Sequence, residues 1–369
     1  MSTAEDAQAA EEAIRVRLVD WQARHGRREL PWQTPATPYR VWISEVMLQQ
    51  TRVETVVPYF QRFIERFPDV TALAGGELDE ILRLWAGLGY YARARHLHAA
   101  ACTLADRGET ELPADLDALR ALPGIGPSTA GAIRSLGHGL PAAILDGNVK
   151  RVLARLDAVS GWPGETRIAR RLWERSEALV PRDERCAAFN QGLMDLGALV
   201  CTPRSPRCGD CPLAGHCQGR ARGEAESLPS PRPRRQRPER HTQLLLIEHE
   251  GALLLERRPP SGVWGGLWSL PECPAGADPV AAARELGAIC RPLGALPERT
   301  HGFTHFRLIM TPVRLAWLEQ AEALADGAER LRWFRPGTEG LPGVPAPIRR
   351  IVAAAGAGAG AEVADGQRA

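Results

Sequence analysis

No stretch of this sequence approaches the ~20 consecutive apolar residues that a membrane-crossing helix requires. The amino terminus, MSTAEDAQAAEE, is acidic and lacks the basic-then-apolar order of a secretory leader, so the chain reads as cytoplasmic. A surplus of charge is also missing: 46 Lys and Arg stand against 44 Asp and Glu, a formal balance of +2. That excludes a histone-like polycation but leaves room for a local basic footprint. Repeats at solenoid periods are absent. What the chain has is length: 369 residues exceed one comfortable hydrophobic core and imply two domains. Hydrophobic residues at 44% and charged residues at 24% are ordinary globular values, which rules out wholesale disorder.

From residue 11 to about 200 the apolar period is helical. Ile14, Leu18 and Trp21 recur at helix spacing, and residues 41–67 form a long striped stretch broken at Pro58. Further helical patterns cover 78–88, 92–105, 129–136, 149–159 and 167–179, with short Gly/Pro punctuation between them. Residues 218–240 hold seven arginines, three glutamates and no apolar face, the composition of an extended linker. Beyond it the period changes to two. Residues 241–248 and 252–258 flank Gly251 as a β-hairpin, 279–286 suit a short helix, and 301–318 and 331–334 are strand-like. A last helix is expected at 347–355 and a disordered Gly/Ala-rich tail at 356–369. The expected organisation is a disordered tail 1–10, an all-α domain 11–217, the linker 218–240 and an α+β domain 241–355.

Four of the eight cysteines crowd into one loop. Cys201, Cys208, Cys211 and Cys217 are separated by six, two and five residues. Structural zinc more often joins two C-x-x-C knuckles across a longer gap, whereas a compact four-thiolate loop suits an iron–sulfur cluster. Spacing alone leaves zinc as a rival. A second signal is LPGIGPSTA (122–130): Gly124 and Gly126 permit a sharp turn, and the helix that follows begins with free N–H groups that can hold a phosphate. The plainer reading is an αα-hairpin. Asp146 precedes the 149–159 helix, where it is by default an N-cap. Glu45, set among Val41, Trp42, Ile43, Val46, Met47 and Leu48, is expected to have its ionised form disfavoured, which suits a general acid. Its plainer reading is the wet face of an amphipathic helix.

Taken together these signals resemble the helix-hairpin-helix DNA glycosylase superfamily that includes endonuclease III. The segments LPWQ (30–33), VWISEVMLQQT (41–51), WAGLGYY (85–91), LDGNVKRV (145–152) and FNQGLMDLGALVC (189–201) narrow the likeness to the adenine DNA glycosylase (MutY) family. The resemblance covers nearly the whole chain. It implies an all-α helix-hairpin-helix glycosylase domain with an iron–sulfur loop, followed by an α+β Nudix-like domain. It also implies one 4Fe–4S cluster per chain, held by Cys201, Cys208, Cys211 and Cys217. The implied activity is base-excision repair: adenine mispaired with 8-oxoguanine or guanine in double-stranded DNA is flipped out and hydrolysed by a DNA-associated monomer.

The resemblance further assigns roles. Glu45 protonates adenine N7, Asp146 stabilises positive charge at the sugar electrostatically or through a transient adduct, and Asn148 helps hold the leaving group and water. Arg28, Trp32, Leu48 and Gln191 line the adenine pocket, and Gln191 is an amide where some homologues carry Glu. Gln50, Thr51, Leu88 and Tyr90 wedge into the duplex, with Gly87 and Gly89 placing the last two on an exposed turn, while Gly124, Gly126 and Ser128 belong to the DNA-binding hairpin. Bifunctional relatives carry a catalytic lysine where this chain has Ser128, which implies a monofunctional enzyme that leaves an abasic site. Lys150 is the nearest lysine able to trap an opened sugar. In the second domain Thr304 and His305 of Phe303–Phe306 are expected to recognise 8-oxoguanine. Gly266 and Glu272 survive from a Nudix box, but Arg284-Glu285-Leu286-Gly287 lacks its paired glutamates, so no pyrophosphatase activity is expected. The rival readings are a bifunctional pyrimidine-lesion lyase and a Nudix hydrolase.

Overall fold

The computed structural model describes residues 4–233, 236–320, 330–335 and 342–354. They fall into two compact units, Met1–Gly76 with His96–Arg234 and Glu77–Arg95 with Arg235–Ala369.

The first unit is helical. Helix α1 (Ala4–His25) begins well inside the stretch expected to be a tail, because Ala, Glu and Gln favour helix and Glu5 and Asp6 suit its positive end. Helices α2 (Pro38–Leu48) and α3 (Val53–Arg66) replace the single striped stretch. Their boundary lies at Gln49–Arg52, where Gln50 takes φ +57, and not at Pro58. Pro58 sits inside α3 on an exposed face, where water can take the carbonyl that proline leaves unpaired. Next along the chain come α4 (Val70–Ala74), α5 (Leu78–Trp85), which falls in the second unit, α6 (Ala92–Asp106) and α7 (Leu116–Arg120). Helix α8 (Pro127–Ala132) runs on into a π-helical turn, Ile133–Gly137. Helices α9 (Gly147–Leu156), α10 (Thr166–Leu179) and α11 (Cys186–Leu199) follow, and α12 (Gln218–Ala221) lies after the cysteine loop. Ile14, Leu18 and Trp21 of α1 enter one core with Val149, Leu153, Leu172, Phe189 and Leu193, which fixes α9, α10 and α11 around the site. Gly131 is required there, since a Cβ would lie 1.9 Å from the Ala143 carbonyl oxygen.

The stretch expected to be an extended linker is partly packed: besides α12, Ala225 and Leu228 are buried.

Residues 77–95, read from sequence as part of the helical domain, belong to the second unit. There, β1 (Glu239–His249) and β2 (Ala252–Arg257) form the expected hairpin, its turn made by Glu250 at φ +47 and Gly251 at φ +76. Strands β3 (Trp268–Ser269) and β4 (Glu272–Pro274), helix α13 (Pro279–Glu285), β5 (Ala288–Ala295), β6 (Arg299–Gly302), β7 (Arg307–Gln320) and β8 (Leu331–Phe334) complete a mixed sheet of order β3-β2-β1-β7-β5 among the described residues. Strand β1 runs parallel to β7, from Glu239 opposite Arg307 to Glu248 opposite Ala316. The single strand-like stretch 301–318 is two strands with a tight turn at 303–306, and β5 lacked a clear alternation in sequence. Leu245, Ile247, Leu254, Ala283, Val313 and Leu315 form its core. Residues 346–354 are helical, and the tail 356–369 lies outside the described residues.

Candidate active site

A cleft of about 1640 Å³ opens in the first unit. Glu45 reaches it from α2, Asp146 and Asn148 from the start of α9, Ser128 from α8 and Gln191 from α11. Arg28, Trp32, Leu48, Gln50, Thr51 and Lys150 also line it. Gly124 and Gly126 are not among its lining residues, nor are Leu88, Tyr90, Thr304 and His305 of the second unit.

Glu45 is half-buried between buried Ser44 and Val46. Burial and then the like charge of Asp146 push its carboxyl up to about 8, so it carries a proton at neutral pH. Asp146 is both a cap and a cleft residue. One carboxylate oxygen accepts the Val149 N–H at 2.7 Å, and the other accepts the Asn148 amide at 3.2 Å. Burial raises its pKa, while those donors and the Arg151 charge pull it back. Asn148 is itself held, since its Oδ1 accepts from Arg151 at 2.8 Å. Gly197 makes the room: a Cβ there would lie 2.7 Å from the Asn148 Cβ. Ser128 Oγ accepts the Leu145 N–H at 3.1 Å, tying the hairpin helix to the loop that carries Asp146.

Arg27 of the pocket wall and Asp195 behind it escaped the sequence reading. Asp195 is fully buried and accepts from Arg27 twice, through the backbone N–H at 3.0 Å and Nε at 2.7 Å. It also accepts the Gln191 amide nitrogen at 3.0 Å. That contact turns Gln191 Oε1 into the end available to the cleft. The spacing of Gln191 and Asp195, one helical turn apart, was the signal for their pairing. Trp32 packs edge-on against Phe60, 5.4 Å between centroids, and Arg28 is exposed and donates to the Ala23 carbonyl.

Of the two hairpin glycines, Gly124 is required twice over, by φ +78 and by a Cβ position 2.6 Å from the His96 Cβ. Gly126 faces open space, as a residue approached closely from outside must.

The four clustered cysteines are all half-buried. Cys211 feels the other three, and burial pushes its thiol up to about 11. A thiol placed like that of Cys211 stays protonated unless a positive group replaces the proton, which is the chemistry of a metal-ligand loop. Yet among the described residues no three Cys, His, Asp or Glu side chains are grouped to hold a single metal ion.

In the second unit, Tyr90 takes φ +48 and is 49% exposed, but Leu88 is buried at 6%, so the turn made by Gly87 and Gly89 exposes the tyrosine and not the leucine. Leucine is the apolar member, and water exclusion draws it inward. Arg93 fastens this turn through the Leu88 and Gly89 carbonyls. Tyr90 Oη lies 3.3 Å from Thr304 Oγ1, so two residues 214 apart in sequence meet. The turn bearing Thr304 and His305 is closed by the Phe303 N–H to the Phe306 carbonyl at 2.9 Å and by stacking of the two rings. Glu272 is paired with Arg258 at 2.6 Å.

Comparison with known proteins fits both units. The helix-hairpin-helix (HhH-GPD) superfamily of base excision DNA repair proteins matches residues 43–178, the iron–sulfur binding domain of endonuclease III matches 201–217, and the Nudix domain matches 242–354. The adenine DNA glycosylase of Buchnera aphidicola subsp. Acyrthosiphon pisum is 33% identical over 335 residues, covering 91% of this chain and 95% of its own. The chain belongs to the adenine DNA glycosylases. The human adenine DNA glycosylase is 34% identical over 385 residues, covering 87% of this chain and 70% of its own. A solved thermostable thymine-DNA glycosylase superposes with TM-score 0.53 and 27% identity over 58% of this chain and 99% of its own. This glycosylase is therefore an adenine-specific DNA N-glycosylase of base-excision repair that binds DNA and carries an iron–sulfur domain. No described helix is long and apolar enough to cross a membrane.

Proposed function

We propose that the glycosylase excises adenine mispaired with 8-oxoguanine or guanine from double-stranded DNA, hydrolytically, as a monomer that leaves an abasic site. The observation that carries this reading is the pair of acids in one cleft, Glu45 held protonated and Asp146 held by hydrogen-bond donors. A flipped adenine offers N7 as an acceptor and its 6-amino group as a donor. Glu45 is the proton donor to N7, and Gln191 Oε1, turned outward by Asp195, is the acceptor for the amino group. As the proton arrives, the bond from C1′ to N9 breaks with its electron pair passing to the base, which leaves neutral. Positive charge then spreads over the sugar ring, as in glycoside hydrolysis, and the Asp146 carboxylate opposes it. Water adds to C1′, and the Glu45 carboxylate left behind takes the water's proton. Asn148, fixed by Arg151 and Gly197, orients the water and base.

Ser128 supports hydrolysis without strand cleavage, since its hydroxyl is engaged by Leu145 and supplies no amine. Gln50 and Thr51, at the α2–α3 turn on the rim of the cleft, suit the gap left by the extruded base; Leu88, being buried, acts by shaping the turn that presents Tyr90. Tyr90, Thr304 and His305 form the surface for the 8-oxoguanine edge. Cys201, Cys208, Cys211 and Cys217 fit a 4Fe–4S cluster better than zinc. A single zinc needs sulfurs about 2.3 Å from one point, whereas a cubane spreads its four thiolates over separate irons, and residues 201–217 match the iron–sulfur binding domain of endonuclease III. Such a cluster supplies a rigid, charged staple for the loop.

A single-turnover assay on an A:8-oxoguanine duplex, followed by alkali, tests the reading. A break at the adenine is expected only after alkali. Asp146→Asn keeps the helix cap and the mispair affinity but slows release by roughly 10²–10³-fold. Strand breakage before alkali, or unimpaired release by the variant, overturns it.

A further inference from the structure

Arg155 lies on α9, one turn beyond Arg151, and is 2% exposed. A buried guanidinium normally faces a carboxylate, because an unpaired charge in a low-dielectric interior is costly. Among the described residues this one has none. Nε donates to the Leu228 carbonyl at 2.8 Å. One terminal nitrogen donates to the Thr202 carbonyl at 2.7 Å and lies 3.2 Å from Cys201 Sγ. The other donates to the Pro203 carbonyl at 3.1 Å. Its own carbonyl oxygen lies 3.3 Å from Cys217 Sγ and would lie 2.6 Å from a Cβ at residue 219, so α12 approaches at van der Waals limits. The same residue therefore touches the first and the last cysteine of the loop, and also the packed segment that ends at Leu228.

Carbonyl oxygens satisfy the guanidinium's donors but bring no negative charge. The remaining partner, the Cys201 sulfur, brings one only as a thiolate. From this geometry we infer that Arg155 is a positioning residue for the iron–sulfur cluster: its buried charge balances the thiolates, its hydrogen bond withdraws electron density from the Cys201 sulfur, and its fork locks the cysteine loop to residues 225–228. Outer-shell hydrogen bonds of this kind govern metal retention and reduction potential. The inference rests on the reading that the four cysteines bind a 4Fe–4S cluster.

The test uses the cluster-loaded full chain and three variants, Arg155→Met, Arg155→Lys and, as a control at an exposed ion pair, Arg170→Gln. Iron and sulfide content of the parent protein is measured first; a parent without both fails the cluster reading itself. Cluster absorbance is then followed during incubation with an iron chelator, together with the reduction potential and protease cleavage at Arg220 and Arg222. Arg155→Met is expected to lose the cluster roughly 10- to 100-fold faster, with a lower potential and earlier cleavage. Arg155→Lys keeps the charge without the fork and is expected to hold the potential nearer the parent's while still losing the cluster and its protection from protease faster. Arg170→Gln matches the parent. If Arg155→Met does not accumulate as folded protein, the lysine variant decides. A lysine variant with parental cluster lifetime and cleavage overturns the inference, as does a folded methionine variant with parental lifetime and potential.

Discussion

At Glu45 two effects act in one direction, since burial and the neighbouring Asp146 charge both disfavour the carboxylate. The proton is needed for catalysis, so the single-turnover rate is expected to fall as pH rises through about 8. Glu45→Gln loses roughly 10²-fold or more and abolishes that limb; a parent rate that is flat from pH 6 to 9 contradicts the assignment. The same shift makes a stability statement. A folded pKa above the ordinary value of 4.5 means the native state holds the proton longer than the unfolded chain, so the benefit is complete below 4.5 and is lost as pH rises through about 8. Glu45→Gln removes that penalty, and at pH 9 it is expected to be more stable than the parent by on the order of 1 kcal/mol or more, since one pKa unit corresponds to about 1.4 kcal/mol. Thermal melts at pH 5 and pH 9 check the sign. Sequence showed the apolar setting of this glutamate but not the neighbouring charge, which arrives from a segment a hundred residues away. Asp195 was hidden for a related reason: in sequence it is one more polar residue on a helix, and only the return of Arg27 to the same spot shows why it is buried.

Among the elements, the hairpin separates two kinds of glycine. Gly124→Ala must relieve both a left-handed backbone and a 2.6 Å approach to His96, so a loss of roughly 1–3 kcal/mol is expected with weaker binding to any duplex. Gly126→Ala meets open space and an ordinary backbone, so the fold is expected to keep its melting temperature while DNA affinity falls, because the methyl group obstructs an approaching phosphate. Equal melting temperatures for the two variants contradict this division. The helices around this hairpin were legible because their apolar stripes recur at 3.6 residues. The break between α2 and α3 was not, because proline is a visible breaker while a left-handed Gln50 leaves no mark in sequence. Strand β5 escaped for the opposite reason, as its outer half is exposed and carries no alternation.

For the molecule as a whole, the second unit is where specificity toward the opposite base is expected to reside. Replacing Thr304 and His305 together with Ala is expected to reduce the preference for 8-oxoguanine over guanine opposite adenine by roughly thirtyfold, each of two lost hydrogen bonds being worth about 1 kcal/mol. Release from an A:G mispair should stay near the parental rate. Competition between the two duplexes in one tube measures this, and an unchanged ratio removes the unit from lesion recognition. The motif residues were readable one by one, yet their meeting was not: Tyr90 belongs by sequence to the helical half and by packing to the sheet unit, where its hydroxyl finds Thr304.

Sequence by itself determined the helical and strand halves, the thiol loop and the hairpin glycines, because period, spacing and residue type are local properties of a chain; the two acids stood out only through the resemblance to a known family. Tertiary structure alone decided which of those residues share a surface. It exposed Tyr90 and buried Leu88, turned the Gln191 amide through Asp195, and set a carboxylate-free guanidinium against Cys201. Burial, proton affinity and charge balance depend on atoms contributed by distant segments, and these are brought together only when the apolar faces pack.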